Sequence, residues 1–169
     1  MKLGFSAKRD GFSSQKWHDK VDNKGKTLII IKTKDNFIFG GFTQIGFTTD
    51  KSKWRDIDRN YAEGSIPDSN AFIFSLRNDN NDRKPEKFPI KKGKENFAIY
   101  YDYSSFGPIF GGRYYSDFSL NLILQPGDSN FGYTYNLPNG IEPKTNEAKR
   151  YLAGSYNNWV VDEIECGFI

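Results

Sequence analysis

The feature that most constrains the fold is a run of apolar, β-branched residues followed at once by a turn and a second apolar run. Thr27–Thr33 reads TLIIIKT, and a tight turn at Lys34–Asn36 leads into Phe37–Phe42, which reads FIFGGF. Branched and aromatic residues favour strands, and two such runs joined by a short turn predict a β-hairpin. Because apolar residues in the first run are consecutive, we expect it to be buried on both faces.

Other short apolar runs extend this pattern along the chain. We expect Leu28–Lys32, Phe72–Leu76 and Val160–Ile164 to be core strands, and a capping serine, Ser13 or Ser14, to begin one short helix. Strands that follow strands indicate an antiparallel arrangement. With 17% aromatic residues available for the core, the sequence predicts a mainly β protein, a β-sandwich of two antiparallel sheets with a few short peripheral helices.

Length and charge bound the organisation and the partners. A chain of 169 residues is expected to form one domain over residues 1–169, which can also be part of a longer chain. The net charge of +3 is only mildly basic and the charges alternate in sign, so we expect no nucleic-acid partner. No apolar run reaches the roughly 18 residues of a membrane span. We therefore expect a cytoplasmic monomer without direct membrane insertion.

Two glycine pairs raise the question of a phosphate-binding loop. Phe37–Gly41 reads FIFGG and Phe106–Gly112 reads FGPIFGG. A phosphate loop needs a helix directly after its glycines, and the residues after both pairs do not predict one. We interpret Gly40, Gly41, Gly111 and Gly112 as positions of backbone shape, and expect no cofactor.

Catalytic side chains are scarce. His18 is the only histidine, which excludes a multi-histidine metal site, and we favour an exposed or half-buried structural residue over a general base. Cys166 is the only cysteine, and we expect a quiet structural thiol. Glu163 and Glu165 alternate onto one face of the last strand. A charged solvent face is the simpler interpretation, while a carboxylate-based enzyme site at these two residues remains the alternative.

Long polar loops are the expected recognition elements. Trp54, Arg55 and Arg113 lie in or beside such segments, and exposed tryptophan and arginine often dominate binding interfaces. Trp54 can equally pin its loop to the core. A further alternative is a carbohydrate-binding sandwich, in which rings stack on sugars; the candidate rings are Tyr100, Tyr101, Tyr103, Tyr114 and Tyr115.

Ordered blocks along nearly the whole chain carry a family resemblance. They are Phe5–Ser13, Asp22–Leu28, Phe39–Thr43, Ala71–Leu76, Tyr103–Gly112 and Tyr151–Tyr156. In this order they resemble the TLDc domain family, which includes the eukaryotic oxidation-resistance proteins. One departure is Asp68-Ser69-Asn70, where the branch best known for a pump role carries a Gly-Glu pair.

The resemblance implies a fold and a function. It implies a sandwich of two antiparallel sheets with short helices around it, in agreement with the strand pattern. It also implies a eukaryotic intracellular protein that is linked to protection against oxidative stress. Family members bind the V-type ATPase, and the family is not known as a clear enzyme. A subunit of that pump is therefore the expected partner.

Overall fold

The computed structural model describes residues 1–55, 64–78, 84–124 and 126–169. Within these ranges the chain forms eleven strands and three short α-helices. The strands are β1 (Lys2–Ser6), β2 (Thr27–Thr33), β3 (Ile38–Thr43), β4 (Gly64–Ile66), β5 (Phe72–Arg77), β6 (Glu86–Pro89), β7 (Ile99–Tyr101), β8 (Phe106–Gly111), β9 (Ser116–Asn121), β10 (Pro126–Asp128) and β11 (Asn157–Phe168). The helices are α1 (Ala7–Asp10), α2 (Ser14–Val21) and α3 (Asn146–Arg150).

The strands pair antiparallel along one continuous path. Its order is β4-β7-β8-β9-β10-β11-β2-β3-β5-β6, with β1 also paired to β11. The long strand β11 joins the two halves of this path, because Val160 pairs with β10 whereas Val161 already pairs with Thr33 of β2. A register shift follows directly, between Val161 and Glu163, and such a bulge allows a strand to bend from one layer into the next.

Aromatic rings fill the space between the two halves of the path. Phe39 of β3 meets Phe118 of β9 edge to face, with 5.4 Å between ring centroids, although these strands are far apart in the pairing order. Phe110 of β8 stacks on Phe118 at 5.0 Å. The mainly β, antiparallel prediction and its three core strands are confirmed. The refinement is that the two layers share β11 and are not separate sheets.

The expectation that β2 is buried on both faces is wrong. Its burial alternates along the strand: Ile29 and Ile31 are fully buried, whereas Leu28 and Ile30 are half-buried. The inner face packs into the aromatic core. The outer face is only flanked by cross-strand neighbours, such as Phe42 beside Leu28. Consecutive apolar residues therefore mark a strand of which one face is fully buried and the other is partly shielded.

Helix α2 is the helix that the sequence predicts. The Ser13 hydroxyl accepts a hydrogen bond from the Lys16 backbone N–H, so Ser13 is the N-cap. Trp17 and Val21 are fully buried on its inner side, and Trp17 packs edge-on against Phe5 and Phe47. None of the helices in the described ranges is long and apolar enough to cross a membrane.

Candidate functional site

A broad groove lies on the outer face of β8 and β9. Its floor includes Ile109 and Ser119, which alternate with the core residues Phe110 and Phe118 along these strands. The cavity volume is about 800 Å³. Because alternate strand residues point to opposite faces, the strand that fills the core with rings also builds this floor.

Exposed tyrosines and cations form the rim of the groove. Tyr114 is 77% exposed and Tyr156 is 43% exposed. The Arg113 guanidinium lies 5.2 Å from the centre of the Tyr114 ring, and the Lys149 ammonium lies 5.9 Å from that of Tyr156. Both geometries are cation–π contacts, which hold long side chains beside rings. Tyrosine and arginine are the residue types enriched at protein interfaces.

A smaller cavity of about 240 Å³ adjoins the groove; we name it the lysine–tyrosine pocket. Its lining residues are Tyr115, Asn130, Phe131, Tyr133, Lys144 and Lys149. The rings of Tyr115 and Tyr133 stack nearly parallel, 4.6 Å apart and at 14°. Asn130 and Lys149 also line the groove, so the two cavities form one continuous surface.

A buried carboxylate that sequence reasoning missed holds the loop that bears part of this pocket. Asp117 of β9 is fully buried, and its Oδ1 accepts hydrogen bonds from the backbone N–H groups of Gly132 and Tyr135. Its Oδ2 accepts from the N–H of Thr134. Burial raises the pKa of Asp117 to about 7, and the three N–H donors offset only part of this effect. The sequence carried one indication of this burial, because Asp117 directly precedes Phe118 within a strand.

The family follows from a comparison with known families. A family model for the TLDc domain matches residues 1–166 of the 169-residue chain. The chain belongs to the TLDc domain family. This match confirms the resemblance noted in the sequence. A comparison with curated proteins finds no significant match for this TLDc domain.

The three binding residues predicted for the TLDc domain do not meet in the groove. Arg113 alone lines it. Trp54 is only 4% exposed, stacks on Tyr101 at 5.2 Å and donates its indole N–H to the Thr48 carbonyl, 2.9 Å away. Of the two interpretations left open for Trp54, the structure shows the one in which it pins its loop to the core and not the exposed one. Arg55 is exposed, and its backbone N–H donates to the Ser65 carbonyl.

The two glutamates of the alternative enzyme site lie on the outward face of β11. Buried Ile164 and Cys166 alternate with Glu163 and Glu165. The Glu163 carboxylate accepts hydrogen bonds from the Lys8 backbone N–H at 3.1 Å and from the Ser6 hydroxyl at 3.3 Å. It thereby braces the junction of β1 and α1. Glu165 is exposed, and neither glutamate lines the groove or the lysine–tyrosine pocket.

His18 of the TLDc domain is buried, at 3% exposure, so the expectation of an exposed or half-buried residue is wrong. Its Nδ1 lies 3.0 Å from both carboxylate oxygens of Asp22, and its Nε2 lies 2.9 Å from the Asp102 carbonyl oxygen. The Tyr101 hydroxyl donates to the same Asp22 carboxylate, at 2.8 Å. Asp22 lies four residues after His18, a spacing at which side chains on a helix are neighbours, so the sequence did indicate this contact. The contacts tie helix α2 to the segment after β7.

Cys166 is a free thiol with no exposed surface. Burial raises its pKa well above the usual range, which keeps the thiol protonated and unreactive. This agrees with the expectation of a structural residue. Among the rings considered for sugar stacking, Tyr100 and Tyr101 are buried, whereas Tyr103, Tyr114 and Tyr115 are more than half exposed.

The first glycine pair lies within a strand, the second spans the end of a strand, and neither precedes a helix. Gly40 and Gly41 are interior to β3, and Gly111 ends β8 at a register shift with a left-handed φ of 98°. A Cβ on Gly41 would lie 2.5 Å from the Phe110 ring of the facing layer. Gly112 has no such constraint, because the nearest atom to its Cβ position is 3.8 Å away, on Phe97. Three of the four glycines thus serve backbone shape and close approach.

Proposed function

We propose that this TLDc domain is a non-enzymatic protein-interaction module of the cytoplasm that protects against oxidative stress by binding the V-type ATPase. The TLDc family is related to oxidative stress, which supports the first part. The identity of the partner rests on the resemblance to pump-binding family members. Naming the pump as the partner allows the proposal to be tested with one defined protein complex.

The observation that carries the proposal is the groove with its rim of Arg113, Tyr114 and Tyr156. Arg113 and Tyr114 lie in the short turn between β8 and β9, and Tyr156 lies directly before β11. Because strands hold both ends of that short turn, few residues need to be ordered when a partner binds. Aromatic and arginine anchors also dominate binding energy at protein interfaces. The groove beside these anchors has a volume of about 800 Å³, so side chains of a partner can pack into it.

The state of three of the four catalytic candidates supports a non-enzymatic role. The Glu163 carboxylate is engaged by Ser6 and Lys8. Both ring nitrogens of His18 are engaged by Asp22 and by backbone carbonyls. The Cys166 thiol is fully buried, so protection through thiol oxidation would require the core to open.

The test is a direct affinity measurement between the purified domain and the purified peripheral sector of a eukaryotic V-type ATPase. We expect binding by the wild-type domain, and at least about tenfold weaker binding by Tyr114→Ala and by Arg113→Glu, as for interface anchors. Arg77→Glu is the matched control, because Arg77 is an exposed arginine outside the groove. Melting temperatures of the variants check that the fold is intact.

Three results would contradict the proposal or move its surface. Absence of any wild-type affinity for the pump would refute the partner. A loss of affinity in Arg55→Glu but not in Arg113→Glu would move the interface to the surface around Arg55. Turnover of a substrate that is abolished by Glu163→Gln or Glu165→Gln, in folded variants, would establish the carboxylate-based enzyme instead.

A further inference from the structure

We propose that the lysine–tyrosine pocket is a socket for the carboxylate side chain of an acidic peptide segment of the protein partner, with the segment itself lying in the groove. This inference rests on the proposed function in one respect, namely that the partner is a protein. It adds the chemistry that the partner must present, a glutamate or aspartate side chain, and the place at which that side chain binds.

The charge of the pocket is the first argument. Lys144 and Lys149 contribute two ammonium groups, and no carboxylate lines the cavity. Within the described part of the chain, neither ammonium forms an ion pair with a carboxylate. Each instead lies near a tyrosine ring, Lys144 at 5.7 Å from the centre of Tyr133 and Lys149 at 5.9 Å from that of Tyr156. Ring contacts leave the positive charge uncompensated, so a ligand carboxylate would be the counter-ion of both lysines.

The walls of the pocket supply the second argument. Tyr115 and Tyr133 form a stacked pair, and Phe131, which also lines the pocket, is almost fully buried. Such apolar surfaces suit the methylene groups of a glutamate, while the Asn130 amide offers a hydrogen bond. The volume of about 240 Å³ is below the usual range of roughly 300–1,000 Å³ for pockets that bind whole small molecules. The size therefore favours one side chain over a nucleotide or a similar cofactor.

Because the pocket is continuous with the groove, we expect a peptide that lies in the groove to carry the acidic side chain. Asn130 and Lys149 line both cavities. A peptide in the groove therefore passes the mouth of the pocket and can place an acidic side chain in it. The groove floor consists of strand residues such as Ser119, and its rim presents tyrosines, a combination that accommodates a backbone and its polar groups.

The pocket is held in shape before any ligand arrives. The three hydrogen bonds to Asp117 fix the Gly132–Tyr135 segment, which carries Tyr133. The Thr145 hydroxyl accepts from the Ala148 N–H and so caps α3, which carries Lys149. Side chains that need little reordering retain more of their interaction energy on binding.

The test is an NMR titration of the ¹⁵N-labelled domain with a blocked peptide of consecutive glutamates flanked by glycines. We expect chemical-shift changes at the amides of Tyr115, Tyr133 and Lys149, with weaker binding at higher salt because the contact is between charges. The same peptide with glutamine in place of glutamate should cause none. Lys144→Gln/Lys149→Gln should lower the affinity at least fivefold. Lys92→Gln/Lys94→Gln, a pair of exposed lysines on another turn, should leave it unchanged.

Several outcomes would overturn the inference. Equal shifts with the glutamine peptide, shifts outside the pocket and groove, or no shifts with the glutamate peptide would each do so. Shifts at the pocket with inorganic phosphate but not with the glutamate peptide would mean a different ligand class. The pump assay separates the two proposals. Full pump affinity in Lys144→Gln/Lys149→Gln would refute the socket and keep the proposed function. Binding of the glutamate peptide without binding of the pump would keep the socket and refute the pump as partner.

Discussion

At the scale of single residues, two buried aspartates organise the loops of this TLDc domain. Besides Asp117, the Asp68 carboxylate is buried and accepts hydrogen bonds from the Thr43 hydroxyl at 2.8 Å and from the Gln44 N–H at 2.6 Å. Asp68 also begins the segment in which this sequence departs from the Gly-Glu pair. The strand position of Asp117 was a signal for its burial, but the donors to neither aspartate could be predicted, because aspartate is mostly exposed and these donors come from turns and strand ends that meet only in the folded chain.

The raised pKa of Asp117 predicts a pH dependence of stability. Because the pKa of the folded form, about 7, lies above the unfolded value of about 3.9, the native state binds the proton more tightly. The stabilising contribution is complete below about pH 4 and is lost as pH rises through about 7. Relative to Asp117→Asn, which cannot titrate, the wild type should therefore lose a few kcal/mol of unfolding free energy between pH 4 and pH 8.

Urea denaturation of both proteins across this pH range measures the difference. Asp117→Asn should itself be destabilised by about 1–3 kcal/mol at pH 4, because an amide nitrogen facing the Thr134 N–H leaves that donor unpaired. Asp35→Asn, on an exposed residue of the turn between β2 and β3, controls for removing a carboxylate. A wild-type-minus-variant difference that is flat with pH, or that grows toward pH 8, would contradict the pKa shift.

The glycine pairs give a second prediction at this scale. Gly41→Val places a Cβ 2.5 Å from the Phe110 ring, so the facing layers must separate, and we expect a loss of about 1–3 kcal/mol as for other overpacked cores. Gly112→Val meets nothing closer than 3.8 Å and should change the melting temperature little. Calorimetry of the two variants decides the matter, and equal losses would show that the strand ends are constrained in some other way.

At the scale of elements, α2 shows what a local pattern specifies. The capping serine and the spacing of Trp17 and Val21 were sufficient to predict the helix and its buried face. The burial of His18 was not predictable, because its partners Asp102 and Phe106 lie more than eighty positions along the chain. A polar residue on a short helix is predicted to be exposed, because the sequence alone does not show which distant carbonyls will accept its hydrogen bonds.

This network predicts that His18 couples α2 to the segment before β8. His18→Ala removes one of the two side-chain partners of the largely buried Asp22 carboxylate, leaving the Tyr101 hydroxyl, and removes the donor to the Asp102 and Phe106 carbonyls. Because unpaired buried polar groups are costly, we expect about 2–4 kcal/mol of destabilisation. Hydrogen exchange should also quicken at amides 103–106. Asp19→Ala, on the exposed neighbour, should change stability by less than about 0.5 kcal/mol. Unchanged exchange in His18→Ala would argue against the coupling.

At the scale of the whole molecule, sequence reasoning predicted the strands and the mainly β class but neither the strand path nor the groove. Strands can be predicted locally, because the residues of a run such as Phe72–Leu76 themselves favour a strand. The groove is not local. Arg113, Asn130, Lys149 and Tyr156 come from four separate segments, and only the pairing of β9, β10 and β11 brings them together. Long-range pairing also made β11 a shared strand, which no single run could indicate.

The shared strand predicts that the two layers unfold together. β11 pairs with β10 in one layer and with β2 in the other, so loss of the pairing in one layer releases one end of a strand on which the other layer also depends. Three tryptophans report on separate places: Trp17 packs on Phe5 and Phe47, Trp159 on Phe39, and Trp54 on Tyr101. In single-tryptophan variants with phenylalanine at the other two positions, fluorescence and far-UV circular dichroism should give coincident urea transitions, the mark of two-state unfolding.

The substitutions differ in expected cost, which supplies an internal control. The indole N–H groups of Trp17 and Trp159 have no acceptor among the described residues, so phenylalanine at these positions forfeits no hydrogen bond there. Trp54→Phe loses the bond to the Thr48 carbonyl and should lower the midpoint further, by about 1 kcal/mol of unfolding free energy. Coincidence within each variant is nevertheless expected, because the layers share both β11 and the rings of Phe39, Phe110 and Phe118. A Trp54 transition at lower urea than the circular dichroism change would show instead that the layer containing β4 and β7 unfolds by itself.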